Sequence, residues 1–207
     1  LDFESNATWF LEKSPENFKV LEKIKANEAL DSIQNLNFHF WTEFHATNDA
    51  DFFNDKSGKI LIFSGKTIEF YDAYARCWLE KHGRSAIWKD EPFPKNNTSY
   101  RTEYYLKGSA PERIREHHLQ NSSGMRLVVQ NVTGTVNNVR TIYSAILPLK
   151  HLTNNSLHNV VIGKTNEELV FYYACLISYV VDWQARLKVA TNLSKFILET
   201  LILPKYE

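Results

Sequence analysis

Hydrophobic positions along this chain recur with helical spacing in some stretches and alternate or cluster in short runs in others. Phe18, Leu21 and Ile24 follow Ser14-Pro15, a pair suited to an N-cap and a first helical residue, and predict a helix over about residues 15–27. Leu36, Phe38 and Phe40 alternate as a half-buried strand does, and the run Lys59 to Phe63 reads as a second strand ended by Ser64-Gly65. Ser109-Ala110-Pro111-Glu112 has capping-box spacing with Pro in the first turn, predicting a helix to about Gln120 that Asn121-Ser122-Ser123-Gly124 closes. Met125 to Gln130, Thr141 to Leu147 and His158 to Ile162 are short β-branched runs bounded by Asn, Gly or Pro, and are expected to be central strands.

A second capping box, Thr165-Asn166-Glu167-Glu168, starts the most apolar segment. Leu169, Tyr173, Leu176, Ile177 and Val180 form one face of the helix it predicts, and Phe171, Ala174 and Cys175 make the other face apolar too. That helix is expected to be long and nearly enclosed, with Leu176 and Trp183 in the core. Glu91 to Ser99 is the best loop candidate. With no internal repeat and no polar linker, the expectation is a single α+β domain over residues 1–207, a mixed β-sheet packed by helices. Residues 1–30 form its helical lead-in, and 165–207 its buried helix and closing segment.

Composition supports a packed core, with 43% apolar and 14% aromatic residues. The longest apolar stretch, Leu169 to Val181, is shorter than the ~20 residues of a spanning helix, so no membrane partner is expected. The chain starts at Leu1 without a basic segment leading into an apolar one, which reads as a fragment of a longer cytoplasmic protein. Cys77 and Cys175 make no C-x-x-C pair and are expected to be free, buried thiols. His117 and His118 are adjacent on a predicted helix, where side chains diverge by roughly 100°, so no metal site is expected there.

Charge is balanced overall, at 24 basic and 24 acidic residues, but not evenly spread. Between Arg76 and Arg140 eleven basic residues face six acidic ones, which points any phosphate contact to that stretch. Ser64-Gly65-Lys66-Thr67 imitates the end of a phosphate loop but lacks the Gly four residues before its G-K-T, leaving Lys66 either as a phosphate contact or as a solvated turn residue. Arg84, Lys89, Asn96, Asn97 and Arg101 lie in a basic, amide-rich and aromatic segment, and such side chains can bridge the major-groove edges of guanine and adenine. Arg140 and Arg186, each flanked by apolar residues, are expected to pair with Asp182 or a backbone carbonyl. Thr47-Asn48-Asp49 reads as a turn held by its own side chains, with a phosphate contact as the alternative for Asn48.

Several segments resemble, in order, the target-recognition region of adenine-specific (N6) DNA methyltransferases of the fused, Type IIG-like restriction–modification group. Val181-Asp182-Trp183-Gln184-Ala185-Arg186-Leu187-Lys188-Val189 is similar to its D-[WY]-x-x-R-x-K-V ending, followed by Asn192-Leu193 to Leu203-Pro204. Ser14 to Ile24 resembles its lead-in helix, and Glu43 to Asp49 its E-F-x-x-T-N-D segment. Ile62 to Ile68 with Tyr71 to Ala75 is similar to L-Y-E-G-K-M-I…F-D-x-R-Y-A. Glu103 to Leu106 stands at its Y-[WY]-V strand. Arg126 to Gln130, Asn138 to Ile142 and Leu147-Pro148 track its R-x-x-x-R-D-I…E-R-T-x-I…L-P run. The chain departs from the pattern at Ser64, Gln130, Asn131 and Asn138, where the family carries Glu, Arg, Asp and Glu.

The resemblance implies a domain that holds duplex DNA opposite its own methyltransferase domain and reads bases while an adenine is flipped. It implies DNA contacts from Lys66, Arg76, Arg84, Lys89, Asn96, Asn97, Arg101 and Arg126. The methyl-transfer loop of such enzymes needs a Pro-Pro pair, and none occurs here, nor does a G-x-G cofactor loop. Hence no catalytic residue, metal or cofactor is assigned to this chain, and S-adenosylmethionine is expected in a separate catalytic domain. The competing expectation is a protein-docking module of a phage-defence complex, to which zero net charge is suited.

Overall fold

A computed structural model describes residues 15–29, 38–54, 60–82, 85–91, 100–108, 126–133, 138–147 and 151–206. Its strands and helices give an α+β protein whose contacts fall into two compact units. One comprises Leu1–Phe38, Val132–Ile142 and Ile162–Glu207; the other comprises His39–Asn131 and Tyr143–Val161. The predicted helix after Ser109 lies outside the described residues, as do Leu36 and Lys59.

The unit around residues 39–131 is built from strands. In chain order the strands are β1 (Glu28–Ala29), β2 (Phe38–Trp41), β3 (Phe53–Asn54), β4 (Leu61–Phe63), β5 (Arg76–His82) and β6 (Ser85–Asp90). They continue as β7 (Tyr104–Leu106), β8 (Arg126–Gln130), β9 (Ser144–Leu147), β10 (Leu152–Thr153), β11 (Leu157–Ile162) and β12 (Ile202–Leu203), of which β1 and β12 belong to the other unit. One four-stranded sheet has the order β10-β4-β7-β3 and is mixed, since β10 runs parallel to β4 while the other pairs are antiparallel. A second has the order β2-β11-β8-β9. Two of the three expected central strands, β8 and β11, are interior to that sheet, whereas β9 closes its edge.

Residues from both sheets supply one core. Phe63 of β4 packs with Val128 of β8, Ala145 and Leu147 of β9 and Leu157 of β11, all completely buried. Burying an apolar side chain of this size contributes about 1.5–3 kcal/mol, which is why these short strands hold together without long ladders. The shared core comes from sheet against sheet, while the described α-helices belong to the other unit and only a short 3-10 turn, Ala50–Phe52, is described in this one.

Glu43 and Arg126 lie in this same interior, with side chains 1% and 3% exposed. Arg126 Nη1 donates to Glu43 Oε1, and Glu43 Oε2 accepts from Thr153 N at 2.6 Å and Thr153 Oγ1 at 3.0 Å. Burial pushes the Glu43 carboxyl up, with Arg126 and Thr153 opposing that rise. The expectation that Arg126 meets DNA is therefore replaced: a guanidinium enclosed between sheets and joined to a carboxylate cannot reach a phosphate in this fold.

The other unit carries the helices α1 (Pro15–Ile24), α2 (Asn166–Leu176), α3 (Tyr179–Lys188) and α4 (Lys195–Glu199). The capping box at Thr165 is formed, with Thr165 Oγ1 accepting from Glu168 N. Gly163, at φ 81°, makes the turn before it, where a Cβ would strike Glu168. The expected single long helix is in fact two. Ile177 ends α2, and Ser178, extended at φ −65° and ψ 153°, caps α3 by accepting from Val181 N. Nor is the segment enclosed: Val170 is 46% and Tyr179 80% exposed, and Trp183 is only half-buried, while Leu176 is in the core.

Polar groups close this unit. Asp182 Oδ1 accepts from Thr141 N at 2.8 Å and Ile142 N at 2.7 Å, and Arg140 Nε lies 3.3 Å from it. Arg140 also donates to Ile177 O, and Arg186 to Asn138 O and Val139 O, so both arginines have the structural partners their apolar flanks implied. The buried amide of Gln184 donates to Ile202 O and accepts from Ile202 N, fixing β12, which pairs antiparallel with β1.

Candidate functional site

Strands β5 and β6 form a two-stranded antiparallel sheet of their own, from the pair Arg76↔Asp90 to the pair His82↔Ser85. Only Gly83 and Arg84 separate that last pair in sequence. The base of this ribbon is bonded into its unit. Arg76 N donates to Thr67 O at 3.2 Å, Glu91 N to Ala75 O at 2.8 Å, Trp78 N to Arg101 O at 3.0 Å and Tyr100 Oη to Arg76 O at 2.6 Å. Beyond the base, Leu79, Glu80, Lys81, His82, Ser85 and Ile87 are exposed.

Register assigns the ribbon's two faces. Arg76, Asp90, Trp78 and Trp88 share one face, and Cys77 and Lys89 the other, because side chains alternate along a strand. An extra residue at Leu79 then changes the parity of β5, so that Glu80 stands opposite Ile87 and Lys81 opposite Ala86. Lys81 is thereby brought to the Trp face, where its Nζ reaches Glu103 at 3.1 Å and lies 5.9 Å from the Tyr104 ring. Arg101 sits over Trp78, its guanidinium carbon 5.9 Å from the ring centroid. The 101–104 segment thus lies against part of the Trp face, and the opposite face carries the buried Cys77 at the base and then Glu80, His82, Ser85, Ile87 and Lys89, which are exposed.

The turn after β4 adjoins the base. Ser64 and Thr67 close it through Thr67 N to Ser64 O at 2.9 Å and Ser64 N to Thr67 Oγ1 at 3.2 Å. Gly65 sits at a close approach: a Cβ there would lie 3.0 Å from Gln130 Cγ and 3.3 Å from Ser156 O, so the Gln130 side chain would have to give way. This is a strand-to-turn element with Lys66 exposed on it.

The candidate DNA-contacting residues separate into groups. Lys66, Lys89 and Arg101 are exposed around the ribbon's base and have no carboxylate partner among the described residues. Arg76 is half-buried and paired with Glu69 at 2.5 Å and Asp90 at 3.3 Å. Arg126 is buried with Glu43. Arg84, Asn96 and Asn97 lie outside the described residues. The turn at Thr47-Asn48-Asp49 is held by His45 N donating to Asp49 Oδ2 at 2.7 Å and by Asp49 N donating to His45 O. Asn48 is exposed on it.

The ribbon itself and its Trp78–Trp88 pair were not anticipated. The signal was present in Gly83-Arg84, a Gly-x pair between two runs that both hold a Trp, which marks a two-residue hairpin connection. A second unforeseen feature is the cluster of Phe63, Tyr74, Tyr100 and His151 behind the ribbon's base. His151 stacks on Phe63 at 4.9 Å, and its Nε2 lies 2.6 Å from Tyr74 Oη. Burial, aided by the charge of Arg126, pushes the His151 imidazole down to about 4, so it is neutral at pH 7. Cys77 is buried and Cys175 half-buried, and both are free thiols. No described helix is long and apolar enough to cross a membrane.

No protein-family model matches the chain. No curated protein matches it either.

Proposed function

We propose that this chain is a DNA target-recognition domain of a bacterial adenine-N6 methyltransferase of the restriction–modification type, acting in the cytoplasm. The observation that supports this reading best is the grouping of Lys66, Lys89 and Arg101 about the base of an anchored β-ribbon. Cations without carboxylate partners attract phosphates, and a two-stranded ribbon has the width that the major groove admits. The collinear sequence resemblance is the second support. In this role the domain holds duplex DNA while a separate methyltransferase domain, with S-adenosylmethionine, flips and methylates adenine. The chain itself supplies no catalytic group.

Gel-shift titration of the chain against long duplex DNA at several salt concentrations tests the proposal. Retardation that weakens steeply with salt is expected; no retardation at low salt overturns it.

One observation favours a docking module instead. Much of the ribbon's charge is neutralised within the chain, through Arg76 with Glu69 and Asp90 and Lys81 with Glu103. A surface balanced in this way suits a protein partner, such as the methyltransferase domain or another defence component. In that case the same titration shows no DNA binding.

A further inference from the structure

The ribbon's two faces are unequal, and the inequality has one local cause. Without the extra residue at Leu79, Glu80 would share the Trp face and Lys81 would point the other way. With it, Lys81 is drawn to Glu103 and Tyr104, and the outer face presents Glu80, His82, Ser85, Ile87 and Lys89. Bulges commonly re-aim side chains in this way where a strand meets a ligand.

Resting on the DNA-binding reading, we infer that this outer face is the base-reading surface, entering the major groove of duplex DNA with Ile87 and Lys89 toward the base edges. Lys89 can donate to guanine O6 and N7, and Ile87, an exposed aliphatic side chain among polar ones, offers the surface that a thymine methyl meets. Ser85 can donate or accept at either pair, and Glu80, with His82 Nε2 3.1 Å away, is an acceptor for cytosine N4. Charge supports DNA as the occupant. Arg76 pairs with Asp90, and Lys89 on this face, with Lys66 and Arg101 at the ribbon's base, has no carboxylate partner among the described residues. The Trp face carries the contacts to Arg101, Glu103 and Tyr104 that support the ribbon.

Photo-crosslinking of the full chain tests the assignment. In a Cys175→Ser background, an aryl azide is attached at Ile87→Cys on the outer face, at Ala86→Cys on the Trp face, or at Phe196→Cys in the other unit. Each variant is checked for its circular dichroism and mixed with duplex DNA. The expected result is several-fold more crosslinking from position 87 than from 86 or 196. It should fall when the cytosines carry bulky 5-substituents that fill the major groove, and persist when a minor-groove drug is bound. Equal crosslinking from 86 and 87, or loss to the minor-groove drug alone, overturns the inference while leaving DNA binding intact. If no variant and no unmodified chain retains duplex, the DNA-binding reading itself fails, and this inference with it.

Discussion

Arg126 and Glu43 form an ion pair inside the strand-built unit, with neither side chain more than 3% exposed. Nε and Nη2 of Arg126 have no hydrogen-bond partner among the described residues, which leaves the guanidinium incompletely compensated for its loss of water. Arg126→Ala leaves the buried carboxylate without its cation and should cost about 3–5 kcal/mol in urea unfolding. Replacing both residues, as Glu43→Leu with Arg126→Met, should cost less than half as much. Because the pair is structural, the double variant should bind DNA as the unmodified chain does.

The same interior sets a pH dependence with two opposing parts. The neutral His151 has a folded value of about 4 against 6.5 unfolded, so the stability it contributes is full above pH 6.5 and is lost as pH falls toward 4. Allowing for its partial exposure, the loss should be about 1–2 kcal/mol, and His151→Phe should remove it from urea midpoints compared at pH 7 and 4.5. Glu43 is raised, so its contribution is fullest below its ordinary value of 4.5 and declines as pH rises through its folded value. The destabilisation caused by Arg126→Ala should accordingly be smaller at pH 4 than at pH 7, since a protonated Glu43 needs no cation.

Asp182 accepts two backbone N–H groups, from Thr141 and Ile142, where a loop meets α3. Asp182→Ala orphans both donors and removes the carboxylate beside Arg140, and should lower stability by about 2–4 kcal/mol. Asp182→Asn keeps one acceptor oxygen and should lose less. Denaturant midpoints in the two variants would refute this if they moved equally.

Leu176 is fully buried at the end of α2, and Leu176→Ala should cost about 2–5 kcal/mol. Trp183 is only half-buried, so Trp183→Phe should shift the same midpoint by less. Ser178→Ala, which removes the cap between α2 and α3, should cost about 1 kcal/mol.

Periodicity made the elements legible where it was strong: Thr165-x-x-Glu168 announced α2, and the runs before Gln130 and Ile162 announced β8 and β11. It misled at Ser178, because an apolar pattern continued across a residue whose hydroxyl caps a new helix better than it continues an old one. Arg126 looked like part of a basic stretch since its partner, Glu43, is 83 positions away. Arg140 and Arg186 were easier, their apolar neighbours already implying enclosure. The ribbon was the larger omission. Its mixed polar and aromatic strands follow no simple alternation, and the bulge at Leu79 breaks the alternation that remains.

The salt dependence of duplex binding tests the central claim most directly, measured by fluorescence anisotropy on the full chain and on a Lys66→Ala, Lys89→Ala, Arg101→Ala variant. Dissociation constants of the ~10⁻⁴ to 10⁻⁶ M order are expected near physiological salt, with a slope of log affinity against log salt that is shallower in the variant by roughly two to three. Equal slopes and affinities in a folded variant, or no binding by the unmodified chain at low salt, would contradict it.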